Sequence, residues 1–156
     1  MTNETQTQQE FLQGYDEKVI ALAQHLNLNL EPDFSNVDEE ASAEEQEEQK
    51  AEAIKEVTDE LDSIVETSWG TYNYYGEEYD VLTDEEANDR WDEELQNYID
   101  KIILPEIPEP YKNYFDDEAW KRDAQYDGRG HSISRYDGCE YEEKVNDTWY
   151  YIYRQD

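Results

Sequence analysis

The sequence predicts an α+β chain, mostly helical and elongated, that ends in a small C-terminal antiparallel hairpin. Three observations predict it. Apolar residues recur at helical spacing over about 10–28, 38–66 and 84–103. Beyond residue 125 the pattern changes to two Tyr-Asp-Gly tripeptides, at Tyr126 and Tyr136, and a final alternating aromatic run. Aliphatic residues are scarce, and 14 Tyr, 4 Trp and 3 Phe stand in for them as core material. Disordered acidic tails are poor in aromatics, so this composition points to a folded chain. Three regions follow: a flexible arm over 1–9, an acidic helical region over 10–66, and an aromatic α+β domain over 67–156.

In the first helical stretch Phe11, Tyr15, Val19, Leu22 and Leu26 recur at spacings of four, four, three and four, which places them on one stripe. Residues 28–36 contain Pro32 and several Asn and read as a linker. In the second stretch Ile54, Val57, Leu61 and Ile64 form a narrow seam of the coiled-coil kind, while the half before Lys50 has only alanines to bury. That seam makes a homodimer an open possibility. Residues 69–82 are aromatic and carry Gly70 and Gly76, fitting a short strand or a structured loop. Thr83 and Glu86 then form a capping box, in which the Thr hydroxyl accepts from the amide three residues on and the Glu reaches back. Ala87, Trp91, Leu95, Tyr98 and Ile102 continue that helix to the stops Pro105 and Pro108. Asp116 or Asp117 caps a short helix to Asp123, and His131–Tyr136 and Thr148–Arg154 are the strand candidates of the hairpin.

Charge is the dominant feature. The chain has 43 acids against 12 basic residues, a net of -31. Over 38–66 there are 13 acids and two lysines, a net of -11; over 67–104 there are 11 and two, a net of -9; over 105–156 there are 13 and seven, a net of -6. Such a field repels nucleic acid and anionic membranes and attracts basic clefts. A helix over 38–66 would extend roughly 43 Å at 1.5 Å per residue, and a duplex of that length carries about 25 charges. One helix therefore offers nearly half the line density of DNA, and two lying side by side would approach it. A carboxylate is also a planar acceptor that Arg grips bidentately, as it grips phosphate. Acidic helix faces are often merely solvated, and salt adaptation also yields acid-rich chains, but the concentration of this charge on helices favours a basic partner. The residues expected to contact it are Glu44, Glu45, Glu47, Glu48, Glu52, Asp59, Glu85, Asp89, Asp92 and Glu93.

Other chemistry has little support. Cys139 is alone, so no intrachain disulfide can form, and one Cys with two His gives no zinc pattern. There is no nucleophile elbow, phosphate-cradling glycine loop or calcium loop. The segment from Asp127 to Ser134 gathers Arg129, His131, Ser132 and Ser134 near tight turns and reads as a structured turn. No catalytic residue, cofactor or metal is expected. No basic-apolar leader and no run of roughly 20 apolar residues is present, so a cytoplasmic location is expected.

The stretch from Leu104 to Ala124, with Tyr114, Phe115, Asp116, Glu118, Ala119, Trp120, Arg122 and Asp123, resembles the late part of ArdA-type antirestriction proteins of phages and plasmids. The ending Tyr151-Ile-Tyr-Arg154 fits the same pattern loosely. The resemblance covers about a third of the chain; residues 1–70 and the segment Asp127–His131 fall outside it. It implies an acidic, elongated, often dimeric inhibitor that imitates duplex DNA and occupies a restriction-type or CRISPR-type host defence complex. The alternative expectation is a phage adaptor that recruits a host protein through its aromatic C-terminal face, around Trp149 and Tyr151.

Overall fold

The structure, a computed structural model, describes residues 12–156. The arm expected over 1–9 and Phe11 lie outside the described residues. The α+β class holds, but the sheet is larger than a C-terminal hairpin: five antiparallel strands in the order β1-β2-β3-β5-β4. They are β1 (Ile64–Ser68), β2 (Thr71–Tyr74), β3 (Glu77–Thr83), β4 (Tyr141–Val145) and β5 (Thr148–Arg154). The helices are α1 (Glu17–His25), α2 (Ala43–Asp62), α3 (Asp84–Tyr98), α4 (Asp117–Ala124) and the short α5 (Arg129–Ile133).

Local signals set most helix starts. Asp16 caps α1 and Ser42 caps α2 by accepting amide hydrogen bonds from Lys18 and Glu45. The capping box at α3 is present in full: the Thr83 amide donates to Glu86 Oε1 at 2.9 Å and the Glu86 amide donates to Thr83 Oγ1 at 3.3 Å. Helix α3 continues into a π turn, Ile99–Ile103, and a 3₁₀ turn containing Pro105, so the expected span of 84–103 is right. Asp116 caps α4.

The expected helix over 38–66 is shortened at both ends. It begins at Ala43, after the Ser42 cap, and stops at Asp62. Ile64 continues the helical apolar spacing, but Ile64-Val-Glu-Thr-Ser68 becomes β1 and pairs with β2. β-branched residues beside a waiting partner strand outweigh a periodicity that the next three residues do not extend. The seam proposed for a second copy is also committed within the chain: Val57, Leu61 and Ile64 are buried against the sheet.

The aromatic run 69–82 supplies two strands. Tyr75 and Gly76, both at positive φ (49° and 88°), form the two-residue turn between β2 and β3. The expected strand His131–Tyr136 is absent; Arg129–Ile133 is a helical turn. Gly130 in that turn lies so close to residues 138–140 that a Cβ would come within 2.6 Å of the backbone of Cys139 and Glu140. The true partner of β5 is β4, joined to it by Asn146 and Asp147 at φ 46° and 68°. Its Tyr-Glu-Glu-Lys-Val sequence alternates weakly because this edge strand is mostly exposed.

Both faces of the sheet are covered. Tyr72, Tyr79, Val81, Tyr150 and Ile152 form one face with Ile20 and Leu22 of α1 and Val57 and Leu61 of α2. On the other face Leu82 and Tyr153 pack with Ala87 of α3 and Ile133 of α5. The region boundary expected at residue 67 falls inside β1, and the buried cluster of α1 and α2 continues across it into β2, β3 and β5. No helix among the described residues is long and apolar enough to cross a membrane.

Candidate functional site

Helix α2 carries nine acids and two lysines over 20 residues, a net of -7. Glu44, Glu48 and Glu52, expected from the sequence, continue to Glu56 and Glu60 at a constant spacing of four, and all five are exposed. Residues four apart lie about 6 Å apart along the axis on neighbouring turns, so this is a continuous row of carboxylates. Glu56 and Glu60 were legible as its continuation and were missed because Ile54–Ile64 drew attention to the apolar side. Glu45, Glu47 and Asp59 are exposed on the same helix. No salt bridge among the described residues involves any acid of α2; the only side-chain donors to them are phenols, Tyr15 to Asp62 at 3.0 Å and Tyr74 to Glu60 at 3.1 Å. Like charges at four-residue spacing oppose helix formation by about 0.2–0.5 kcal/mol per pair. The row therefore does not exist for the benefit of the helix.

Helix α3 is treated differently. It has seven acids and one arginine over 15 residues. Asp84 receives Arg129 at 2.8 Å, Asp92 receives Lys121 at 2.9 Å, and Glu86 receives Lys18 at 3.0 Å. Burial opposes ionisation of Glu86, but the Thr83 amide and the Lys18 ammonium outweigh it and hold its carboxyl below the usual range. Of the four residues expected here, Glu85, Asp89 and Glu93 remain as a short exposed i, i+4 row, while Asp92 is drawn into the Lys121 pair. Lys121 is buried, so Asp92 serves the fold first.

The two acidic helices do not lie side by side. Helix α2 covers the Tyr72–Val81 face of the sheet and α3 the Leu82–Tyr153 face. The structure brings together the α2 residues and, separately, the α3 residues, with the sheet between the two groups. A single combined anionic strip does not form. Helix α2 alone spans about 30 Å, a length over which a duplex presents about 18 charges; its net of -7 is roughly two-fifths of that density.

The basic residues explain why the field is so uneven. Among the described residues, seven of the 12 sit in salt bridges: Lys18, Arg90, Lys112, Lys121, Arg129, Lys144 and Arg154. All seven lie outside α2. Tyrosines engage further carboxylates through hydrogen bonds that leave the charge in place. Tyr79 donates to Glu77 at 2.7 Å, Tyr150 to Glu17 at 2.7 Å, Tyr141 to Asp137 at 3.1 Å, and Tyr153 to Glu140. Burial and the adjoining carboxylates push the phenols of Tyr79, Tyr150 and Tyr153 well above their ordinary range.

The His131 segment does not assemble a nucleophile. Ser132 Oγ accepts from Trp91 Nε1 at 3.1 Å, Ser134 Oγ lies 2.7 Å from the Arg154 carbonyl, and Arg129 is engaged by Asp84, Asn88 and Glu140. No hydrogen bond joins His131 to either serine among the described residues.

Comparison with protein-family models, curated proteins and solved structures gives no match to this chain.

Proposed function

We propose that the chain is a phage- or plasmid-type inhibitor that presents the α2 carboxylates to the DNA-binding groove of a basic host protein, foremost a restriction-type or CRISPR-type defence complex. The supporting observation is the Glu44–Glu48–Glu52–Glu56–Glu60 row, exposed along its whole length and in no salt bridge among the described residues. Because the α3 acids lie on the other face of the sheet, the mimicry is of one strand's run of charge rather than of a complete duplex surface. Glu85, Asp89 and Glu93 form a second, smaller anionic patch that a partner reaches only by wrapping past the sheet.

The test is capture of the partner from bacterial lysate at low and high salt, followed by displacement with duplex oligonucleotide. Exposed charges contribute about 0.2–1 kcal/mol each. One Glu→Gln change is therefore expected to alter affinity by up to about fivefold, and Glu44, Glu48, Glu52 and Glu56 changed together by roughly tenfold or more. A captured partner that DNA does not displace, or whose binding ignores the fourfold variant, overturns the reading.

A second reading, an adaptor acting through its aromatic C-terminal face, is favoured by the exposure of Tyr126, Tyr136 and Trp149. It predicts salt-tolerant capture that is lost in Trp149→Ala and retained in the fourfold α2 variant.

A further inference from the structure

The apolar stripe of α3 does more than pack against the sheet. Between α3, α4, the turn 125–127 and α5 lies a cleft of about 400 Å³, within the size range of small-ligand sites, roughly 300–1,000 Å³. One wall is aromatic. The Tyr98 and Trp120 rings are stacked on each other with centroids 5.5 Å apart and planes inclined by 8°, and Tyr98 remains half exposed. The buried Leu95 adds an apolar surface beside them.

Two carboxylates, Glu94 and Asp127, line the same cleft. Neither has a hydrogen bond or salt bridge among the described residues, whereas Asp92 is engaged by Lys121 at 2.9 Å and Asp117 by Gln96 at 3.1 Å. The buried Lys121 is thus committed to Asp92. His131 is the only basic side chain lining the cleft.

A stacked aromatic plate, two unpartnered carboxylates and an apolar surface define a complementary group. It is planar, cationic and rich in N–H donors, and it is carried on an aliphatic stem. A guanidinium meets each requirement: it stacks on indole and phenol faces, donates in a fork to carboxylates, and leaves its methylene stem for Leu95. An ammonium supplies the charge without the plane. A phosphate-bearing ligand meets two carboxylates of its own sign.

We propose that this cleft is a binding subsite for an arginine side chain, held by cation–π stacking on the open face of the Tyr98–Trp120 pair and by charge-assisted hydrogen bonds to Glu94 and Asp127. That the arginine belongs to a basic partner protein rests on the function proposed above; the preference of the cleft for a guanidinium does not.

The full-length protein is titrated at low ionic strength with N-acetyl-L-arginine amide. The Trp120 indole N–H signal is followed by NMR, with N-acetyl-L-citrulline amide, N-acetyl-L-lysine amide and adenosine monophosphate as rival probes. The arginine probe is expected to give a saturable shift with Kd on the order of 1–10 mM, and the neutral citrulline isostere to bind at least about fivefold more weakly. Glu94→Gln and Asp127→Asn are each expected to weaken the arginine probe by about threefold, and Trp120→Leu by a similar factor through loss of the indole face. Trp149→Leu, outside the cleft, is expected to leave it unchanged. The two carboxylate variants keep the test decisive should Trp120→Leu not fold. Equal binding of citrulline, preference for adenosine monophosphate, absence of a saturable shift, or indifference to both carboxylate changes overturns the subsite. Those outcomes leave the α2 test untouched, because neither the probes nor these variants involve the Glu44–Glu60 row.

Discussion

Helices α2 and α3 carry similar charge, -7 over 20 residues and -6 over 15, yet the fold uses them in opposite ways. On α3 the acids at the start and middle are tied to Arg129, Lys18 and Lys121, cations that come from three other helices. These pairs hold α3 to the rest of the molecule. On α2 the same residue types form no salt bridge among the described residues, and only Val57 and Leu61 are buried from its 20 residues. The contrast separates acids that organise the protein from acids that only create a field around it. Tyrosine lets the first group grow beyond the supply of lysine and arginine, since a phenol donates a hydrogen bond to a carboxylate without consuming a cation; at the C-terminal end of α2 it reaches Glu60 and Asp62 as well.

The largest test of that division is alkali. The phenols of Tyr79, Tyr150 and Tyr153 are raised above their ordinary value of 10.0, chiefly by burial and then by Glu77, Glu17 and Glu140. The folded protein retains protons that the unfolded chain releases, so their contribution to stability is complete below pH 10 and is lost as the pH rises beyond it. Circular dichroism combined with phenolate absorbance is expected to show unfolding above pH 10 with a cooperative burst of tyrosine ionisation. Smooth, non-cooperative ionisation on an intact fold would show that these phenols are not structural.

Single substitutions sharpen the comparison. Asp92→Ala leaves the buried Lys121 ammonium without its partner and is expected to cost about 1–3 kcal/mol. Glu48→Ala on α2 is expected to stay within about 0.5 kcal/mol. Urea denaturation of both variants measures the difference, and equal effects would erase the distinction between the helices. The caps give a smaller contrast. Thr83→Ala removes the capping box at the β3–α3 junction and is expected to cost about 1 kcal/mol. Ser42→Ala frays an exposed helix end, so its effect is expected in local amide exchange more than in global stability.

The smallest effect has the opposite sign. Glu48→Gln and Glu52→Gln relieve like-charge pairs and are expected to stabilise the protein by about 0.2–0.5 kcal/mol per relieved pair. Added salt, which screens exposed charges over about 8–10 Å, is expected to raise the thermal midpoint in the same direction. A fall in stability on neutralising this row would mean that it has partners within the fold.

The features legible in advance are those set within a few residues. The Thr83–Glu86 capping box, the span of α3 with its π extension, the Asp116 cap and strand β5 all follow from neighbours in sequence. Strand β1 was read as the end of a helix because Ile64 fits both patterns and only its pairing with β2 decides between them. Strand β4 was missed because an edge strand with charged residues lacks the alternation of a half-buried one. For the site, the α2 row was legible because side chains four apart on a helix are neighbours. The diversion of Asp92 was not, since Lys121 is 29 residues away. The cleft was not legible either, because Tyr98 and Trp120 each read as one more apolar position of its own helix.

By itself, the sequence determined how much negative charge the protein carries, that much of it lies on helices, where the capping box starts α3, and that aromatic rings would fill the core. Each of these depends on composition or on contacts within a turn or two of the backbone. Tertiary structure decided which carboxylates are neutralised and on which face of the sheet each acidic helix lies. The reason is that a small set of cations and phenols must be shared among many acids, and the sharing is settled by long-range packing, which brings Lys18, Lys121 and Arg129 to α3 and none of the three to α2.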